Sequence, residues 1–258
     1  MTTIATWNVN SVNARLPNVL AWLGEAKPDI VLLQEIKCLD AAFPTEAVGE
    51  LGYNAVALGQ KSYNGVAILA RRPIEDVMRG LPGGDGDEQA RYLEATIGGL
   101  RVASTYLPNG NPIGTDKFGY KLAWMERLRA RAKALLELEE PIVLGGDYNV
   151  IPEPIDCHDP EAWLGDALFQ PESRRAFRSL LHLGFTEAFR ALHPDERGAY
   201  SFWDYQGGAF QLDHGIRIDH LLLSPLAADR LTGCAIDKGP RRLPKASDHT
   251  PVIVQLGD

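Results

Sequence analysis

Cysteine is scarce in this chain. Cys38, Cys157 and Cys234 are the three present in 258 residues, far apart and without a CxxC pair. That spacing excludes a disulfide framework and a thiolate zinc cluster. Long apolar runs are missing too. Stretches such as residues 30–33 and 221–223 fall far short of the roughly 20 residues a spanning helix needs, so no membrane association is expected. Residues 1–10, MTTIATWNVN, lack a basic start followed by an apolar core. They do not read as a secretory signal, and the reducing cytoplasm is the expected compartment. No tandem repeat, low-complexity tract or long linker interrupts the chain, whose length allows one large domain or two small ones; a single domain over residues 1–258 is the expectation. Positive charge is in deficit, with a formal net charge of −8. That rules out binding through a bulk positive field, as a histone-like protein would bind. A bound divalent ion and a local basic strip can still hold a polyanion, and surplus carboxylates are what a hard-cation site needs.

What is present is an alternation of short apolar segments with a few helical ones. Residues 3–9, 29–34, 53–58, 65–70, 91–97, 100–107, 142–145, 216–224 and 251–256 read as strands. Residues 16–27 carry Leu16, Val19, Leu20 and Leu23 at helical spacing. Residues 116–139 form the longest helical stretch, with a stripe of Leu122, Met125, Leu128, Ala132, Leu135 and Leu136. A further helix is expected over residues 172–183. Residues 80–88, GLPGGDGDE, read as a mobile surface loop, and the segment around Asp156-Cys157-His158-Asp159 as a Pro-rich polar loop. Many strands with intervening helices predict a mixed α/β domain.

Polar residues gather at the strand ends. Five motifs carry them: Trp7-Asn8-Val9-Asn10, Leu33-Gln34-Glu35, Gly145-Gly146-Asp147-Tyr148-Asn149, Arg217-Ile218-Asp219-His220 and Ser247-Asp248-His249-Thr250-Pro251. Burying such groups costs free energy unless they are paired, so five breaks of this kind predict one shared polar site. Asp147 and Asn149 are two apart, as are Asn8 and Asn10, which in extended chain puts each pair on one side. Gly145 and Gly146 permit close backbone approach beside Asp147. The oxygen donors Glu35, Asp147, Asp248, Asn8 and Asn149 suit Mg²⁺, with Mn²⁺ as a substitute, better than zinc.

Taken in order, these motifs resemble the endonuclease/exonuclease/phosphatase superfamily, and exonuclease III and the abasic-site (AP) endonucleases most closely within it. Leu51-Gly52-Tyr53, Tyr63-Asn64-Gly65-Val66-Ala67, Tyr106-Leu107-Pro108-Asn109-Gly110 and Ser201-Phe202-Trp203-Asp204-Tyr205 extend the resemblance over the whole chain. It implies a four-layered α/β sandwich, two packed mixed sheets flanked by helices, with the site where strand ends of both sheets meet. It also implies roles. Glu35 is the principal metal ligand, with Asn8 nearby and Asp248 as a second-metal or supporting group. Asp147 aligns or deprotonates the attacking water, and Asn149 is its transition-state partner. His249, oriented by Asp219, contacts the scissile phosphate, Tyr106 lies against that phosphate, and Asn10 and Asn109 make further polar contacts.

The resemblance implies double-stranded DNA as substrate, cut 5′ to abasic sites or trimmed from 3′ ends; a monomer is the default expectation. Tyr106 points to the abasic-site branch. Phe202, Trp203, Ile216 and Ile218 resemble the apolar pocket for a flipped-out, base-free sugar, with Ile216 standing where relatives carry Trp. Arg241, Arg242 and Lys245 are candidates for backbone phosphates. The rival within the superfamily is a phosphatase acting on a small phosphate or lipid headgroup, since one fold serves many substrates.

Overall fold

The computed structural model describes residues 1–258. Its strands are β1 (Thr2–Asn8), β2 (Ile30–Gln34), β3 (Asn54–Leu58), β4 (Val66–Ala70), β5 (Glu75–Arg79), β6 (Tyr92–Ile97), β7 (Leu100–Tyr106), β8 (Ile142–Asp147), β9 (Thr186–Glu187), β10 (Asp219–Leu223), β11 (Leu231–Ile236) and β12 (Val252–Leu256). The α-helices are α1 (Leu16–Ala26), α2 (Thr45–Gly49), α3 (Asp116–Leu136), α4 (Pro171–Leu181), α5 (Ala188–Leu192) and α6 (Pro225–Ala228).

Two six-stranded mixed sheets result, ordered β11-β12-β1-β2-β4-β3 and β5-β6-β7-β8-β10-β9. Each has one parallel pair at its centre, β1 with β2 and β7 with β8, and antiparallel neighbours outside. Parallel neighbours end at the same edge, so the ends of four central strands gather on one side of the molecule.

Strand periodicity sorts the core into layers. Ile4, Ile30, Leu32, Val66 and Ile68 face Leu93, Val102, Val143, Leu221 and Leu223 across the gap between the sheets. The alternate residues Ala5, Trp7, Val31 and Leu33 pack outward on Val19, Trp22 and Leu23 of α1. On the far side, Ala103, Leu144 and Leu222 pack on Trp124, Met125 and Leu128 of α3 and Phe177 of α4. The layers run helix, sheet, sheet, helix, which is the four-layered α/β sandwich expected.

Gly145 and Gly146 serve this packing separately. A Cβ on Gly145 would meet Leu32 Cδ1 at 2.6 Å and Leu221 Cδ2 at 2.7 Å, between the sheets. One on Gly146 would meet the backbone oxygen of Thr105 at 1.8 Å, against the neighbouring β7.

Several sequence expectations need correction. The strand expected over residues 216–224 begins only at Asp219; Ile216 instead bridges Cys157 and Phe202 singly. The long helix stops at Leu136, and its buried face uses Lys121 and Trp124 where Leu122 was expected. Residues 80–88 are latched to α3: Arg127 donates to the carbonyls of Leu81 and Pro82 and pairs with Asp87 at 2.7 Å.

Candidate active site

Four strand ends set the site: Asn8 closes β1, Glu35 follows β2, Tyr106 closes β7 and Asp147 closes β8. Asp219 opens β10 and stands opposite Asp147 in register. His249 lies just before β12 and bridges to Phe202. Glu35, Asp147 and His249 each offer a ligand atom, all within 4.8 Å of one another. Residues more than 200 positions apart in sequence therefore converge.

The two pairs spaced by two residues work differently from the extended alternation expected. Asn10 donates its backbone N–H to Asn8 Oδ1 at 3.0 Å, and Asn149 donates its own to Asp147 Oδ1 at 2.9 Å. Asn10 and Asn149 both have positive φ, 45° and 46°. Each pair is an Asx turn, a local bond that ends the strand and fixes the polar side chain at its tip. The same device closes β1 in one sheet and β8 in the other.

Asn8 joins the carboxylates. Its Nδ2 donates to Glu35 Oε1 and to Asp147 Oδ2, both at 2.9 Å. With Oδ1 taken by Asn10, the amide brackets the two acids instead of facing a metal with its oxygen. Asn149 is likewise committed: Oδ1 accepts from Asn109 at 3.1 Å, and Nδ2 donates to Leu107 O at 3.0 Å. Asp248 accepts from Asn10 Nδ2 at 3.0 Å and lines the cleft outside the three-residue cluster.

His249 Nδ1–H donates to Asp219 Oδ2 at 2.8 Å, and Ser201 Oγ donates to the same oxygen at 2.7 Å. Nε2 stands 3.7 Å from Asp147 Oδ2. Burial alone would lower the imidazolium, but Asp219 and then Asp147 outweigh it and raise it to about 10. Burial pushes the Asp147 carboxyl up, with Asp219 adding to the effect and His249 opposing it. Tyr106 is held well above the usual phenol range by burial, Glu35 and Asp147, and Arg91 lies over its ring at 4.7 Å.

Glu35 is the open member. Burial raises its carboxyl, but Lys37 and Asn8 outweigh that and leave it below the ordinary value. Lys37 Nζ lies 2.7 Å from Oε2, a cation standing beside the acid. Carboxylate oxygens with an accessible outer face fit a hard divalent ion.

The cleft has a polar wall of Tyr106, Asn109, Asn111, Asn149 and Asp166. Its apolar wall is Trp163, Leu168, Phe202 and Ile218. Trp203 and Ile216, expected to line it, are buried elsewhere: Trp203 Nε1 donates to Asp213, and Ile216 packs beneath Phe202. Trp163 and Leu168 take that place. Asn111 holds that segment, donating to Asp166 Oδ1 and Oδ2 at 2.9 and 3.0 Å and accepting from Ala167 N.

The basic run is also reassigned in part. Arg241 stacks over Tyr205 and Phe210 and donates one N–H to Trp203 O, so it is partly engaged within the protein. Arg242 and Lys245 are exposed. Arg15, absent from the sequence reading, reaches the same region and donates to Tyr205 Oη at 3.1 Å. Asp156, read as part of a polar loop, is fully buried and pairs with Arg217 at 2.9 Å and Arg190 at 2.6 Å. Arg217 also binds Glu187 at 2.7 Å, so a buried ionic network backs the segment leading into β10.

Comparisons with known proteins agree with this architecture. A model described as the endonuclease/exonuclease/phosphatase family matches residues 5–249. Exodeoxyribonuclease III of Haemophilus influenzae is 33% identical over 262 residues, covering 97% of this chain and 98% of that protein. An AP endonuclease from Archaeoglobus fulgidus is 41% identical with a TM-score of 0.95, over 99% of both chains. The 3′ phosphatase NExo from Neisseria, solved with a product DNA hairpin, is 40% identical with a TM-score of 0.97 over the whole of both chains.

Proposed function

The chain belongs to the endonuclease/exonuclease/phosphatase family, and from that premise we propose that it is a Mg²⁺-dependent DNA repair nuclease. It hydrolyses the phosphodiester 5′ to abasic sites in double-stranded DNA and trims 3′ ends. The observation that carries this reading is the convergence of Glu35, Asp147 and His249 within 4.8 Å, at a cleft with an apolar wall. The named activities of the relatives, exodeoxyribonuclease, AP endonuclease and 3′ phosphatase, support it.

Glu35, with Asp147 beside it, would hold the metal, which supplies a Lewis acid for the charge that builds on the phosphate. Mn²⁺ meets the same oxygen donors. The protein's own groups do the rest. Asp147 is fixed by Asn8 and by the Asn149 amide and orders the attacking water, whose proton it is placed to accept. His249 is cationic at neutral pH, and Nε2 lies beyond hydrogen-bond reach of Asp147, free to donate to an equatorial oxygen. Tyr106 donates to the same group. Asp219 keeps the imidazolium charged and aimed.

Trp163, Leu168, Phe202 and Ile218 give a base-free sugar an apolar face beside the phosphate. Flipping costs least where no base is stacked, so this wall favours abasic nucleotides. Lys245, Arg242 and Arg15 are placed to meet flanking phosphates. The chain is proposed to act as a monomer built as one domain. Three free, buried cysteines suit a reducing cytoplasm.

The test is a labelled duplex with one abasic analogue, incubated with Mg²⁺ or with chelator. Mg²⁺-dependent incision 5′ to the lesion is the expected result. Release of phosphate from small phosphomonoesters or lipid headgroups, with the duplex left intact, would move the assignment to a phosphatase.

A further inference from the structure

We infer that Lys121 is a positioning residue of the cleft, tying the loop after β7 to the loop after β8. The inference rests on the reading of this cleft as the site of phosphodiester hydrolysis.

Lys121 lies on the buried face of α3 and is fully excluded from solvent. Burying an ammonium group costs several kcal/mol unless it is well paired. Lys121 has no carboxylate in ion-pair contact. Its Nζ instead donates to two backbone carbonyls, Asn109 O at 3.0 Å and Asn149 O at 2.5 Å. Packing alone does not call for such a residue, since Trp124, Met125 and Leu128 fill the same face with apolar groups.

The two acceptors are informative. Asn109 belongs to the loop leaving β7, and Asn149 to the loop leaving β8. Their side chains meet in one hydrogen bond, Asn109 Nδ2 to Asn149 Oδ1. Lys121 therefore holds from behind, through the main chain, the amide pair that lines the polar wall in front. Gly110 lets the first loop close over the lysine stem: a Cβ there would lie 2.7 Å from Lys121 Cδ, and its φ is +90°. One buried amine thus fixes the spacing of two cleft loops without entering the cleft.

A clamp of this kind acts on turnover more than on substrate capture. The flanking basic residues and the wall residues Phe202 and Ile218 do not touch it, and Trp163 and Leu168 connect to it indirectly, through Asn111. The amides beside Asp147 depend on it directly, and small misplacements near reacting atoms are costly.

The experiment compares the parent with Lys121→Met, which keeps the stem and removes the donors, and Lys121→Gln, which keeps an amide donor. On the abasic duplex, Lys121→Met is expected to lose about 10²-fold in kcat with KM within about threefold, and Lys121→Gln to recover part of the loss. Amide hydrogen exchange without DNA gives a second readout. Residues 107–111 and 148–151 should exchange faster in Lys121→Met while β2 and β10 stay protected. Unchanged kcat, an equal rise in KM, or uniformly faster exchange across the chain would each overturn the inference. Should Lys121→Met not fold, Lys121→Gln is read by the same exchange criterion. If the parent fails to cut the duplex, the proposed function falls, and the exchange experiment still decides the clamp.

Discussion

His249 Nδ1 and Asp219 Oδ2 are 2.8 Å apart, and this contact fixes both the direction and the charge of the imidazole. Asp219→Asn keeps the shape and removes the anion. We expect kcat to fall by about 10²-fold to 10⁴-fold. The pH dependence gives a signed check. In the parent, the imidazolium persists through neutral pH and is lost only as pH rises through a value raised to about 10. Without Asp219, only Asp147 and Asp248 oppose burial, so that value falls and the alkaline fall in kcat moves to lower pH. Rates measured between about pH 6 and about pH 11 test this; an unmoved alkaline limb would contradict it.

Glu35 and Lys37 predict opposite metal phenotypes. Glu35→Gln should raise the half-activating Mg²⁺ concentration by about 10-fold to 100-fold. Lys37→Met removes the cation 2.7 Å from Glu35 Oε2 and should lower it. Calorimetric titration with Mn²⁺ reads the change directly, and chelation should silence the parent.

Trp163→Ala opens the apolar wall. KM for the abasic duplex should rise by about tenfold, the order expected for losing part of one aromatic contact, while kcat on a small phosphodiester without a sugar stays the same. Equal losses on both substrates would place Trp163 in the chemistry instead of the pocket.

Glu187 predicts how stability responds to acid. Burial would raise its carboxyl, but Arg217, then His220 and the Arg190 amide, outweigh it and hold it at about 2. A group lowered on folding contributes stability above its unfolded value, lost as pH falls through the folded one. The drop from 4.5 to about 2 corresponds to about 3 kcal/mol. Urea unfolding should show that part vanishing between about pH 4.5 and about pH 2. Glu187→Gln should flatten the curve in that window and lose a few kcal/mol at neutral pH, because Arg217 is left partly unpaired.

Much of the site was legible because strand-end acids and amides have no packing role to hide behind. Glu35, Asp147, Asp219 and His249 broke apolar runs at places where a buried strand needs no such group. Their local geometry was not legible. Extended alternation put Asp147 and Asn149 side by side, whereas an Asx turn carries Asn149 into a left-handed conformation and commits its amide to Leu107 and Asn109. Trp163 and Leu168 were missed because nothing in their local sequence marks a pocket; the Asn111–Asp166 bonds that press them into the cleft join distant segments. The same limit hid Lys121, whose two acceptors lie in other loops. Edge strands were the other loss. β5 is half exposed and charged, β9 has two residues, and β11 carries a register shift at Gly233, so none shows a clean alternation.

Gly145 lacks the one methyl group that would wedge Leu32 from Leu221. Glu35 rides on one slab of the sandwich, while Asp147 rides on the other. Their separation is thus a gauge of how closely the slabs press together. A Gly145→Ala chain could keep its secondary structure and yet misalign the two halves of its reaction centre, so catalysis would register a loosened interior before any melting curve did.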